Sequence, residues 1–96
     1  MTEKLMDEAR AMILRDLHEW TVLHDPDAIT RSFSFANFAE AFSFMTRVAF
    51  HAEALDHHPD WSNSYNRVVI TLTTHDAGGL TEKDIELAKL IDMLAV

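Results

Sequence analysis

Three of the six histidines in this 96-residue chain, His57, His58 and His75, flank one stretch of strand-like sequence. Histidine titrates near neutrality when unperturbed, so it gives or takes a proton at little cost. Carboxylates accompany the three: Glu53, Asp56, Asp60, Asp76 and Asp84. Glu53 and His57 are four apart and share a face if a helix reaches that far. Glu53 and Asp56 fall in the last turn of an expected helix, where the dipole disfavours negative charge. Local rules broken in this way often mark functional sites. A carboxylate beside an imidazole also fixes its tautomer. The chemistry these residues point to is acid–base catalysis.

Blander readings weigh against single residues. An isolated exposed histidine is ordinary surface, and His18, His24 and His51 are read that way. Trp61, by composition alone, is a core residue. A histidine pair followed by Pro59 and Trp61 is a more specific pattern than any of its members. No metal site is expected, because adjacent residues such as His57 and His58 point different ways in a loop and no zinc-ligand spacing is present. Phosphate-binding glycine loops and nucleophile elbows are missing. Gly78-Gly79 is too short to cradle a pyrophosphate and reads as a turn, and Ser62 and Ser64 read as plain loop hydroxyls.

The elements that must position these residues follow from periodicity. Residues 3–17 read as an amphipathic helix, with Leu5, Met6, Ala9, Met12, Ile13 and Leu17 at three- and four-residue steps. Residues 19–34 read as a hairpin turning at His24-Asp25-Pro26-Asp27, with Trp20 in its core and Ile29, Arg31, Phe33 and Phe35 in one phase. Residues 38–55 give the clearest helix, capped by Asn37 with Glu40 at the capping-box position. Its inner stripe is read as Phe38, Ala41, Phe42, Met45, Val48, Ala49, Ala52 and Leu55, with Phe50 turned toward a second contact such as another subunit. Pro59 stops that helix, and residues 56–62 read as a loop. Residues 63–74 read as strand, broken at Tyr65-Asn66, with Val68, Ile70 and Leu72 on one face. Thr81, with Asp84 at the capping-box position, starts a last helix whose inner face is Ile85, Ala88, Ile91 and Ala95. The order α-β-β-α-β-β-α predicts an α+β fold, an antiparallel three- to four-stranded sheet with three helices on one face, in a single domain over residues 1–96.

Composition bounds the function. Sixteen acidic residues against eight basic ones give a net charge of −8, which argues against nucleic-acid binding. The apolar share of 48% is that of a globular chain, not a disordered one. There is no cysteine, hence no disulfide framework and no thiolate chemistry. No apolar run is long enough for a membrane span, and the first residues carry acids where a signal peptide carries bases, so a cytoplasmic protein is expected.

The segment Glu53 to Trp61, with Asp56-His57-His58-Pro59-Asp60-Trp61 in full, resembles the pterin-4a-carbinolamine dehydratase family. So do Tyr65-Asn66, Val68, Leu72, Thr74-His75, Gly79-Leu80-Thr81 and Asp84, and upstream Trp20, Ile29, Arg31, Phe33, Phe35, Phe38 and the run from Phe44 to Ala49. The resemblance covers residues 20 to 92. It implies dehydration of 4a-hydroxytetrahydropterin to the quinonoid dihydropterin, in recycling of the cofactor of aromatic amino-acid hydroxylases. The family's catalytic histidines fall on His57, His58 and His75. Its substrate contacts fall on His57, His58, Pro59, Trp61, Thr74, His75, Asp76 and Ala77, with Glu53, Asp56 and Asp84 as supporting carboxylates. It further implies a homodimer or homotetramer and no cofactor. Asp60 departs from the family's frequent Glu, and Ser62 and Ser64 replace bulkier apolar residues of animal members, so the coactivator role of those members is not carried over. The rival expectations are a non-catalytic pterin-binding or dimerisation module of the same fold, and a metal-dependent hydrolase.

Overall fold

A computed structural model describes residues 10–11 and 15–95. The elements are β1 (Thr21–Leu23), β2 (Ala28–Ser34), α1 (Phe38–Ala54), β3 (Asp60–Ser64), β4 (Arg67–Leu72), a single 3-10 turn (His75–Ala77) and α2 (Glu82–Leu94). The helix expected over residues 3–17 lies largely outside the described residues; of those described, 10, 11, 15 and 16 are helical. Two helices, rather than three, are therefore delineated among the described residues.

The four strands form one antiparallel sheet in the order β1-β2-β4-β3. Register follows the two-residue period of the strands. Ile29, Arg31 and Phe33 oppose Leu72, Ile70 and Val68, and Trp61 opposes Ile70 from the other side. These residues share the face covered by α1 and α2. The opposite face carries Thr30, Ser32, Ser34, Thr71 and Ser62, small polar groups suited to solvent. The core joins Ile29, Phe33, Val68, Ile70 and Leu72 to Phe44 and Val48 of α1 and Leu87, Ala88 and Ile91 of α2.

Three expectations are corrected. Residues 60–62 are not loop: Asp60, Trp61 and Ser62 belong to β3, because the Tyr65-Asn66 turn folds that segment back onto β4. The histidines thus flank a hairpin rather than one strand. The stripe of α1 is also displaced. Ala41, Phe44, Val48 and Ala52 are buried, whereas Phe38 and Phe42 are 49% and 56% exposed. Apolar side chains spread round more than half of this helix, and the sheet covers only part of that arc, so the pattern's centre is not the buried face. Finally, Glu40 accepts the Ala36 N–H rather than that of Asn37, while Asn37 accepts the Glu40 N–H as expected.

Candidate active site

The end of α1 sets the first site residues. The helix stops after Ala54, so Glu53 and His57 do not share its face. It closes with two bonds, Asp56 N–H to the Glu53 carbonyl at 3.1 Å and His57 N–H to the Ala52 carbonyl at 3.0 Å. This is the Schellman pattern, which needs a left-handed residue just past the cap. Asp56 supplies it, at φ 50°. The reversal carries His57 inward and leaves His58 outside.

His57 is buried, and its Nε2 lies 2.5 Å from Asp84 Oδ1. Asp84 is fully buried at the start of α2. Its other oxygen, Oδ2, accepts the Thr81 N–H at 2.9 Å and the Thr74 hydroxyl at 2.8 Å. The Thr74 and Thr81 hydroxyls meet at 2.8 Å. A buried carboxylate is tolerable only when its lone pairs are filled in this way.

His58 is exposed and pairs through Nε2 with Glu53 Oε1 at 2.8 Å. Both border an open hollow of about 420 Å³ lined also by Thr46, Ala49, Phe50, Pro59 and Trp61. His75 opens the 3-10 turn, exposed, with its Nε2 3.8 Å from Asp60 Oδ2. The turn sits in a small closed loop, where Thr74 and Gly79 exchange backbone bonds of 3.1 and 3.2 Å. Of the three histidines, His58 alone lines the hollow. His57 is the next residue along the chain and His75 adjoins Thr74, so Asp84 ties the two histidine segments together from beneath. Asp56 and Asp76 are exposed, with no side-chain hydrogen bond among the described residues, and Ala77 closes the turn through its N–H to the Thr74 carbonyl. No cluster of metal-ligating groups occurs among the described residues.

Sequence reading overlooked two supports. Thr81 enters the network through its hydroxyl as well as capping a helix. Asp27, read only as a turn residue, accepts the Leu80 N–H at 3.0 Å, pairs with Arg10, and through its carbonyl accepts the Thr73 hydroxyl at 2.7 Å. Partners 46 and 53 residues away leave no mark on a local pattern.

The family model described as pterin 4 alpha carbinolamine dehydratase matches residues 3–94. This chain belongs to that family. Among relatives, a Rhodospirillum rubrum protein named "putative pterin-4-alpha-carbinolamine dehydratase" is 58% identical over 94 residues, 98% of each chain. A Burkholderia pseudomallei protein of the same name is 58% identical over 92 residues, 96% of this chain and 91% of that one. Among solved structures, a "transcriptional coactivator/pterin dehydratase" from Brucella melitensis superposes with a TM-score of 0.93 at 45% identity, covering 98% of this chain and all of that one. A pterin dehydratase-like protein described as a RuBisCO assembly factor of the alpha-carboxysome gives 0.70 at 26% identity, over 81% of this chain and 90% of that one. The dehydratase family thus spans the fold described above, and no helix among the described residues is long and apolar enough to cross a membrane.

Proposed function

We propose that this member of the family is a hydro-lyase that dehydrates 4a-hydroxytetrahydropterin to quinonoid dihydropterin and water. One observation carries the reading: a buried imidazole–carboxylate pair, His57 with Asp84, lies next along the chain to a second pair, His58 with Glu53, that borders a hollow. The reaction removes the proton of N5, protonates the leaving 4a-hydroxyl and releases it as water. The C4a–O bond breaks as the N5 electron pair forms the C4a=N5 double bond, with no net oxidation or reduction, so the site must supply an acid and a base. His57 and His75 share those roles, and His58 assists, serving the other stereoisomer of the substrate. Glu53 orients His58 or holds the amide-like edge of the pterin. Asp84, fully buried with both oxygens engaged, orients His57 and does not reach the substrate as the resemblance implied. Asp56, Pro59, Trp61, Thr74, Asp76 and Ala77 complete the surroundings. Each positioned acid or base contributes about 10²–10⁴-fold in such catalysis.

The reading places the enzyme in the cytoplasm, in tetrahydrobiopterin recycling beside an aromatic amino-acid hydroxylase, as a homodimer or homotetramer. Association is favoured by Phe38, Phe42 and Phe50, exposed along the outer side of α1. The test is stopped-flow dehydration of a synthetic 4a-hydroxypterin by wild type and by His57→Ala and His75→Ala. Losses of tenfold or more support the assignment, and turnover within threefold of wild type overturns it. A protein that binds pterin without any turnover is the non-catalytic module instead.

A further inference from the structure

The hydrogen bonds around Asp84 have a direction. A backbone N–H can only donate, so the Thr81 N–H donates to Asp84 Oδ2. The Thr74 hydroxyl donates to the same oxygen, which fixes its single proton. The Thr81 hydroxyl, 2.8 Å from Thr74 Oγ1, must then donate to it. Oδ2 therefore faces two donors and has no place for a proton of its own. One proton remains to be assigned, on the line between Asp84 Oδ1 and His57 Nε2. With Oδ2 filled by two donors, Oδ1 is the oxygen that accepts from the imidazole. That leaves the proton on Nε2.

Nδ1 of His57 has no partner among the described residues. No side-chain nitrogen among them is both fully buried and unpaired, so Nδ1 keeps an opening to the surface. We propose that Thr74 and Thr81 are positioning residues, a directed pair of hydroxyls that holds His57 as the Nε2–H tautomer and so makes Nδ1 its working atom, a proton acceptor. This deepens the dehydratase reading and rests on it for the substrate: His57 becomes the base that takes the N5 proton, Asp84 balances the imidazolium formed, and the acid that protonates the departing hydroxyl falls to His75 or His58. The neighbouring carboxylates do not compete for this role, since Glu53 is engaged with His58 and Asp60 faces His75.

The experiment is imidazole nitrogen spectroscopy on the ¹⁵N-labelled full chain without substrate, with wild type compared with Thr74→Val, Thr81→Val and the two Ser variants. The wild type is expected to show a protonated Nε2 and an unprotonated Nδ1 at His57. Thr74→Val, which removes a donor to the carboxylate, raises the Nδ1–H form by roughly tenfold, Thr81→Val shifts it the same way by less because its hydroxyl acts through Thr74, and Ser restores the wild-type pattern. An Nδ1–H form in the wild type, or Val variants that leave the tautomer unchanged, overturns the proposal. Thr74 is the less buried of the two, so its variants carry the test should Thr81→Val fail to fold. Because no turnover is read, a protein that dehydrates nothing but keeps the Nε2–H form sinks the dehydratase reading and upholds this one.

Discussion

Asp56 adopts a left-handed conformation, at φ 50°, just beyond the end of α1. Glycine is the usual occupant of that position, because an L side chain there costs about 1–2 kcal/mol, somewhat less for Asp. A negative charge at a helix C-terminus adds a few tenths more. Strain kept at such a place points to a use for the side chain. Asp56→Gly is therefore expected to raise stability by about 0.5–1 kcal/mol, read as a rise in denaturation midpoint, while lowering turnover. A gain in stability with turnover untouched would free Asp56 from the site. Glu53 gives the complementary case. Its pair with His58 is exposed and contributes little to stability. Glu53→Gln is expected to change unfolding free energy by less than about 0.5 kcal/mol and to lower turnover severalfold, which chemical denaturation and rate measurements separate.

At the scale of elements, α1 serves two surfaces. Phe44 fills the centre of the core, touching the rings of Phe33 and Phe35 at centroid distances of 5.0 and 4.9 Å. Phe44→Ala is expected to cost about 3–5 kcal/mol in equilibrium unfolding. Phe50 is 74% exposed, so Phe50→Asp should leave the monomer folded and reduce association, read by sedimentation. Periodicity identified α1 as a helix from 38 onward but merged these two surfaces, since hydrophobicity does not say which neighbour covers a side chain. The β strands were more legible. Val68, Ile70 and Leu72 are buried as their alternation requires, and the Tyr65-Asn66 break is a true hairpin turn. Asp60 to Ser62 were illegible as strand because Pro59 precedes them and the polar Asp60 and Ser62 on a sheet edge leave Trp61 as the sole apolar residue of the segment. At the site, sequence spacing suggested Glu53 with His57, whereas the chain reversal at Asp56 gives Glu53 to His58 and His57 to Asp84. A contact 27 residues distant depends on how α2 docks, which no local motif encodes.

The whole molecule joins its parts by a few long-range polar links. Asp92 on α2 accepts from Trp20 at 2.8 Å and from Arg31 at 2.6 Å, fastening the first hairpin to the last helix. Asp27 fastens that hairpin to the His75 loop, and Gly79 must lack a side chain because a Cβ there would overlap the Asp27 carboxylate. Gly79→Ala is expected to destabilise by about 1–3 kcal/mol in thermal or chemical unfolding. The net charge of −8 sets copies of the chain against one another. Raising ionic strength to 0.15 M shortens the screening length to about 8 Å, so the association proposed through α1 is expected to strengthen with salt, measurable by sedimentation across a salt series. The ring that Thr74 and Gly79 close is anchored at its base and carries His75 and Asp76 exposed at its crown. With His75 kept for its chemistry, the exposed Asp76 beside it can be exchanged at little folding cost, so a library aimed at other heterocycles should be cut in there.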